Sequence, residues 1–176
     1  TTKLLCGHKD LLKEILGFDV NQYCDSRIEN LKVIKEIKPT AETILIKPPL
    51  IKSAKDVVKF ADISLNTEKS TIQALSEAAV KAEVIHQVII MIEMGEIREG
   101  VMRESFIDFY KSVFNLPNIE IVGIGTNLSC MSGVLPNQDK LIQLSLYKQL
   151  VEAKFDKKIK YVSGGSSVTI PLLLQH

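Results

Sequence analysis

The chain has 176 residues, 45% of them hydrophobic, with 22 basic and 21 acidic side chains and a formal net charge of +1. This length and composition allow one sizeable core and exclude an intrinsically disordered chain. The balanced, evenly spread charge excludes the footprint of a nucleic-acid-binding or membrane-surface protein.

Short β-rich runs alternate with helical patterns along the whole chain. Strands are predicted at residues 3–6, 22–25, 43–47, 62–65, 86–92, 119–125 and 160–163. Helices are predicted at 10–16, 28–37, 53–60, 67–83, 103–114, 138–153 and from about 166. The strands are continuously apolar rather than alternating, which is typical of strands covered on both faces.

Strict alternation of such strands with helices predicts a parallel sheet, either an open doubly wound sheet or a barrel. Seven strands at regular spacing favour the barrel. The chain opens with Thr1 inside a predicted strand, and an eighth strand is missing after residue 163. We therefore expect one α/β domain over residues 1–176, a truncated (β/α)8 TIM-type barrel with about seven β/α units, cut from a longer protein.

The cysteines Cys6, Cys24 and Cys130 lie far apart and show no Cys-X-X-Cys spacing. They predict reduced, buried small side chains rather than disulfides or a zinc site, so we expect no metal and a cytoplasmic location. The sequence shows no signal peptide and no apolar run long enough to cross a bilayer.

Lys3 lies in the first predicted strand, just before a turn that contains Gly7. Burial disfavours an ammonium ion, and the free amine is the form that makes a Schiff base with a carbonyl compound. A buried strand lysine therefore suits pyridoxal phosphate. The alternative is a partly exposed lysine on an edge strand with a structural role only.

Active sites of such barrels lie at the carboxyl ends of the strands. Ser163, Gly164, Gly165, Ser166 and Ser167 follow the last predicted strand. Glycines let the backbone approach a ligand, and serines and free N–H groups donate hydrogen bonds to anions. This loop predicts a phosphate site, with an ordinary flexible turn as the alternative.

Three further loops contain candidates. Arg98 stands in a charged run after the most apolar strand and can hold a carboxylate or a phenolate oxygen, although a salt-bridged surface turn explains it equally well. Arg27 is the better candidate after the second strand, since Asp25 can simply cap the next helix. Thr126 and Asn127 open a long polar loop and suit a cofactor or substrate contact.

Six segments resemble the barrel domain of fold-type III pyridoxal-phosphate enzymes, in particular the alanine/ornithine racemase family. In chain order they are TTKLLCG, DSRIENL, ADISLNTE, MIEMGEIREG, GIGTNLSC and SGGSS. They are spread over essentially the whole chain. Each segment alone is a weak signal, and the ordered set is fairly specific.

The resemblance implies pyridoxal 5'-phosphate as the cofactor and an amino acid such as alanine, ornithine or lysine as the substrate. Lys3 then forms the internal aldimine and acts as one acid/base at the α-carbon. Arg98 approaches the phenolic oxygen of the cofactor and the substrate carboxylate. Residues 163–167 hold the phosphate, and Arg27 and the 126–127 pair are further cofactor contacts.

Some positions depart from the alanine racemase pattern. Thr126 and Asn127 stand where a histidine covers the pyridine ring, Met91 replaces a lysine, and Glu93 replaces an aspartate. These changes fit an ornithine-type branch better. Glu93 or Glu96 is then a candidate acceptor for the distal ammonium of a basic substrate.

The resemblance also implies a homodimer, because the second base of the family is a tyrosine from a C-terminal β domain of the partner subunit. That domain is absent here, so we expect the fragment alone to be inactive. Three alternatives stay open. They are a single-barrel protein that binds pyridoxal phosphate and regulates its supply, a D-amino-acid aldolase or decarboxylase, and a barrel that binds a phosphorylated metabolite.

Overall fold

A computed structural model describes residues 1–174, and the last two residues of the predicted domain, Gln175 and His176, lie outside the described residues. The strands are β1 (Gln22–Asp25), β2 (Glu42–Leu45), β3 (Ile63–Asn66), β4 (His86–Glu93), β5 (Val101–Met102), β6 (Ile119–Gly125) and β7 (Tyr161–Ser163). The α-helices are α1 (Lys9–Leu16), α2 (Ile28–Ile37), α3 (Ala54–Phe60), α4 (Lys69–Ala82), α5 (Phe106–Val113), α6 (Gln138–Phe155) and α7 (Ile170–Leu173). Short 3-10 turns form at Lys3–Leu5, Ile51–Ser53, Arg103–Ser105 and Ser167–Thr169.

The hydrogen-bonded order of the strands follows the order of the chain. It is β1-β2-β3-β4-β6-β7, and β5 pairs with β4 off this path. The pairs β1–β2, β2–β3 and β6–β7 are parallel. A doubly wound sheet reverses its strand order at a switch point, whereas a barrel adds each strand to the one before. The sequential order therefore agrees with the barrel prediction.

The chain forms two compact units, each with its own core. The first contains residues 1–66, 70–88 and 116–120, and the second contains residues 67–69, 89–115 and those from 121 onward. Fully buried side chains of the first unit are Leu12, Leu31, Ile34, Val57, Ile63, Ile72 and Leu75. Those of the second are Ile90, Ile92, Phe106, Val113, Ile124 and Val151. Helices α1 to α4 supply most of the first set, and strands β4 and β6 supply half of the second.

The first predicted strand, residues 3–6, is wrong. Lys3 begins a 3-10 turn and is exposed, so the expectation of a buried strand lysine is also wrong. Thr2 still meets the sheet, since its backbone N–H donates to the Cys24 carbonyl at 2.8 Å. The chain then turns away because Cys6 and Gly7 have φ angles of 49° and 76°. Such left-handed conformations end an extended strand.

A second difference is β5, which the sequence pattern does not predict. This strand has two residues and pairs in parallel with β4, with Ile92 opposite Val101. The intervening loop makes a complete turn within residues 94–100 to bring the two strands side by side. Gly100 permits this turn, because its φ is 155° and a Cβ there would lie 2.7 Å from the backbone carbonyl carbon of Ile92.

His86, at the start of β4, belongs to a buried polar network of the first unit. Its Nε2 lies 2.8 Å from the Ser64 hydroxyl, which also accepts a hydrogen bond from the Asn66 amide at 2.9 Å. Burial lowers the pKa of His86 to about 4, although Asp62 and the Ala61 carbonyl favour the charged ring. The imidazole is therefore neutral in the folded protein at pH 7.

We expect mild acid to destabilise the fold through His86. Its folded pKa of about 4 lies below the ordinary value of 6.5, so the stability is intact above pH 6.5 and is lost as the pH falls from 6.5 to 4. The loss approaches roughly 3 kcal/mol, at about 1.36 kcal/mol for each pKa unit. Urea unfolding across this range measures it. A His86→Gln variant cannot titrate, so an unchanged pH dependence in that variant would contradict the assignment.

Candidate functional site

In the first unit, Lys3 lies beside the carboxyl end of β1. Its neighbour Thr2 fixes it there through hydrogen bonds to the last two residues of β1. The Thr2 N–H donates to the Cys24 carbonyl at 2.8 Å, and the Thr2 hydroxyl donates to Asp25 Oδ2 at 2.9 Å. Lys3 itself is exposed. The amine is thus accessible, while the backbone that bears it is held to β1.

Asp25 is the buried centre of this arrangement. Besides Thr2, its carboxylate accepts the backbone N–H of Arg27 and the side-chain amide of Asn30, each at 3.0 Å. A buried carboxylate needs several such donors. Asn30 also approaches Gly7, where a Cβ would lie 2.6 Å from the Asn30 amide oxygen. Arg27 begins α2 as its N-cap residue, and its side chain is exposed at the same strand end as Lys3.

In the second unit, Arg98 lies on the loop between β4 and β5. Its Nη1 is 2.7 Å from Cys130 Sγ, and its Nε is 2.7 Å from Glu99 Oε2. The other oxygen of the Glu99 carboxylate accepts a hydrogen bond from the Asn127 amide. Glu99 therefore joins two predicted site residues, Arg98 and Asn127. Sequence reasoning assigned Glu99 no role.

The loops that follow β6 and β7 touch each other. The Thr126 N–H donates to the Ser163 carbonyl at 3.0 Å. Gly165 has a φ of 103°, and a Cβ there would lie 2.9 Å from the backbone nitrogen of Leu128. Glycine at 165 is therefore required both by its backbone angle and by the close approach of the two loops. The predicted phosphate loop and the predicted 126–127 contact are thus neighbours.

Two hydroxyl groups at these loops fit a bound anion. Thr126 Oγ1 and Ser166 Oγ are buried, and neither has a hydrogen-bond partner within residues 1–174. Buried hydroxyls in native proteins are almost always paired. Both can donate to an oxygen-rich ligand such as a phosphate group. These two hydroxyls without a partner are the evidence that the residues present suit a phosphorylated cofactor.

Glu96 is buried, with 1% of its surface exposed, and it is occupied by backbone donors of the loop after β6. The donors are the N–H groups of Ser129, Cys130, Met131, Ser132 and Val134. The Met131 N–H has the largest effect, and with the N–H groups of Ser132, Cys130 and Val134 it lowers the pKa of Glu96 to about 2 against the opposing effect of burial. The expectation that Glu96 accepts a distal ammonium is therefore wrong.

Glu93 is engaged in a similar way. Its carboxylate accepts the backbone N–H groups of Gly95 and Arg98 within its own loop. The two glutamates thus shape loops through the backbone. Sequence reasoning missed this role because the residue types of a sequence do not show which backbone N–H groups a carboxylate binds.

The described part of the chain has exposed thiols and lacks both a metal-ligating cluster and a membrane-spanning helix. Cys6 and Cys130 are exposed, so the expectation of buried cysteines is wrong for these two. Residues 1–174 contain no group of three or more His, Cys, Asp or Glu side chains placed to hold a metal ion. None of the helices in the same range combines the length and apolar character needed to cross a membrane.

The sequence matches a known family and named relatives. A family model described as the alanine racemase N-terminal domain matches residues 6–176. Ornithine racemase of Acetoanaerobium sticklandii is 39% identical over 172 residues, which cover 97% of this chain and 48% of that protein. Lysine racemase of Thermotoga maritima is 25% identical over 166 residues, which cover 94% of this chain and 46% of that protein. The chain spans about half the length of these curated relatives.

Solved structures show the same fold. Alanine racemase of Clostridium difficile 630 in complex with cycloserine has a TM-score of 0.72 at 17% identity, covering 93% of this chain and 44% of that structure. PipY of Synechococcus elongatus PCC7942 with PLP bound has a TM-score of 0.75 at 12% identity, covering 95% and 81%. At these identities the likeness concerns the fold alone. It confirms the predicted truncated (β/α)8 barrel.

Proposed function

The chain belongs to the alanine racemase N-terminal domain family, and we propose on this basis that it is the barrel domain of a pyridoxal-phosphate-dependent amino-acid racemase. The observation that carries the proposal is the 39% identity to an ornithine racemase over 97% of the chain. Pyridoxal phosphate, when bound, withdraws electrons from the α-carbon of an amino acid, which allows the α-proton to leave and return.

The phosphate contact is assigned to the loop of residues 163–167. Ser166 Oγ and Thr126 Oγ1 are the buried hydroxyls that lack a partner within residues 1–174, so each can donate to a phosphate oxygen. Gly165 supports this assignment because it lets the loop backbone lie against the neighbouring loop. Arg27 and Asn127 complete the proposed cofactor contacts.

Lys3 and Arg98 are assigned the reactive roles. In the loaded enzyme the Lys3 amine would carry the cofactor, and its Nζ would exchange the α-proton on one face only, the other face being left to the second base. Arg98 binds the carboxylate of the amino acid by charge-assisted hydrogen bonds, while Glu99 and Cys130 hold the guanidinium. The family match begins at residue 6, so the role of Lys3 rests on its motif and on its place at the end of β1.

The finer parts of the proposal concern substrate and assembly. We place the substrate among basic amino acids, with ornithine first, because the two named relatives are an ornithine and a lysine racemase. A homodimer, in which the partner supplies the second base, and a cytoplasmic location belong to the same proposal.

The proposal is tested by locating the cofactor. Incubation of the intact protein with pyridoxal phosphate is expected to give an absorbance band at ~420 nm, and borohydride is expected to fix the cofactor on the peptide that contains Lys3. Lys9 is the internal control, since it is also exposed and lies on the adjacent helix in an ion pair with Glu36. Labelling at Lys9, or evenly over many lysines, would refute the assignment.

A racemase is separated from its relatives by the fate of the substrate. Exchange of the α-proton with solvent, without loss of carbon, excludes an aldolase and a decarboxylase. One further candidate is favoured by a specific observation, since the chain covers 81% of the PLP-bound PipY structure at a TM-score of 0.75. Labelling of Lys3 without any proton exchange would favour a single-barrel protein that binds the cofactor without catalysis.

A further inference from the structure

Residues 129–134, hereafter the 129–134 turn, form a closed turn that begins two residues after the proposed contact residue Asn127. Ser129 donates to the Val134 carbonyl through its N–H at 3.0 Å and through its hydroxyl at 3.2 Å. Ser129 and Gly133 have φ angles of 60° and 69°, which give the turn its tight curvature. The backbone N–H groups inside the turn converge on the Glu96 carboxylate.

The Glu96 carboxylate is the group that holds the 129–134 turn. Cys130 N donates to it at 2.7 Å and Ser132 N at 2.9 Å, with the remaining donors described above. The Ser132 hydroxyl adds a bond of 2.7 Å to the Glu96 carbonyl. The side chains of Cys130 and Met131 are exposed, so apolar packing contributes little to the turn. Charge-assisted hydrogen bonds of this kind are about twice as strong as neutral ones.

The 129–134 turn is connected to two proposed site residues. Cys130 within the turn contacts the Arg98 guanidinium at 2.7 Å. Asn127, two residues before the turn, contacts Glu99, which pairs with Arg98 on its other side. Release of the turn would therefore remove one of the contacts that orient Arg98 and free the chain beside Asn127.

We propose that Glu96 is a positioning residue, whose carboxylate holds the 129–134 turn so that Arg98 and Asn127 keep the arrangement in which they meet the cofactor and the substrate. This inference rests on the proposed function. It assigns a role to a side chain that does not itself touch either ligand.

The test replaces Glu96 in the intact protein. Glu96→Gln keeps the size but places an amide N–H among backbone N–H donors, so the turn is expected to open. Amide hydrogen exchange of the cofactor-free protein is expected to show loss of protection at residues 130–132. The Kd for pyridoxal phosphate, measured by absorbance, is expected to rise about tenfold. Glu96→Asp, which keeps the charge and shortens the reach, is expected to lie between Gln and wild type.

Two control variants separate positioning from stability. Glu104→Gln removes an exposed carboxylate in the same unit, and both readouts are expected to stay at wild-type values. Val57→Ala removes packing from a fully buried position in the first unit. It is expected to lower the melting temperature without changing the Kd for pyridoxal phosphate or the exchange of the turn.

Three outcomes overturn the inference. Rapid exchange of the amides of residues 130–132 in the wild-type protein shows that Glu96 does not hold the turn, whatever the variants do. An open turn in Glu96→Gln, with wild-type cofactor affinity, shows that its role is structural only. If Glu96→Gln does not fold, Glu96→Asp takes its place: lost amide protection at residues 130–132 with wild-type affinity for pyridoxal phosphate again shows a structural role only.

A different result concerns the proposed function. A wild-type protein whose turn is protected but which gives no cofactor band refutes the proposed function, and the positioning role falls with it.

Discussion

A Lys3→Ala variant of the intact protein is expected to lose racemisation by about a thousandfold or more, because one residue is assigned both cofactor attachment and proton transfer. Its free energy of unfolding is expected to change by less than about 0.5 kcal/mol, as for other exposed positions. The structure supplies the reason for this separation. Lys3 is exposed, and its backbone is anchored by the Thr2 bonds to β1 rather than by its own side chain.

Two control variants show whether the loss of racemisation in Lys3→Ala is specific to the amine of Lys3. Lys3→Arg keeps a cation at the same place but cannot release a proton near neutral pH, so it is expected to be as inactive as Lys3→Ala. Lys9→Ala removes a nearby exposed lysine and is expected to keep wild-type activity. Racemisation is measured by the appearance of the opposite enantiomer in the presence of saturating pyridoxal phosphate. Activity of Lys3→Ala within tenfold of wild type would reject Lys3 as the reactive amine.

Replacement of Gly100 by alanine is expected to lower the free energy of unfolding by about 3 kcal/mol or more, the largest stability effect that we predict for a single methyl group. Two physical effects add. The φ of 155° is unfavourable for a residue with a side chain, and the new Cβ would lie 2.7 Å from the carbonyl carbon of Ile92 and 2.8 Å from the Cα of Glu93. Backbone atoms cannot move away as a flexible side chain can. The loop that bears Arg98 must therefore shift.

Gly133→Ala is the matched control for Gly100→Ala. Gly133 also has a positive φ, of 69°, but apart from its two chain neighbours none of the described residues lies within 4 Å of its Cβ position. Only the backbone strain applies there, so the expected loss is about 1 kcal/mol. Urea unfolding curves of both variants, fitted with one shared dependence of the free energy of unfolding on urea concentration, give the difference in their stability directly. Equal losses in the two variants would show that the close contact at Gly100 is relieved without strain.

Much of the fold could be predicted because strands that are covered on both faces have an unbroken apolar pattern. This property located β3, β4 and β6 to within a few residues, and the β/α alternation led to the barrel. The first predicted strand failed for a different reason. Leu4 is 92% exposed, so an apolar residue there does not report burial. β5 was missed because loop geometry at Gly100, rather than residue preference, creates it.

The site divides in the same way. Polar residues at strand ends pointed to Arg98, Thr126, Asn127 and the 163–167 loop, and the structure joins them within one unit through Glu99 and the contact at Gly165. Their roles toward a cofactor stay predictions. Glu96 was assigned to a ligand because a sequence shows the charge of a side chain but not its hydrogen-bond partners. A carboxylate that binds backbone N–H groups cannot be distinguished in a sequence from one that binds a substrate.

The sequential order of the strands has a consequence for biosynthesis. Every strand after β1 on the path from β1 to β7 pairs with a strand that leaves the ribosome before it. Each new β/α unit therefore finds the strand with which it pairs already made. Nascent chains arrested after successive units should accordingly gain protease resistance in steps, from the amino terminus onward.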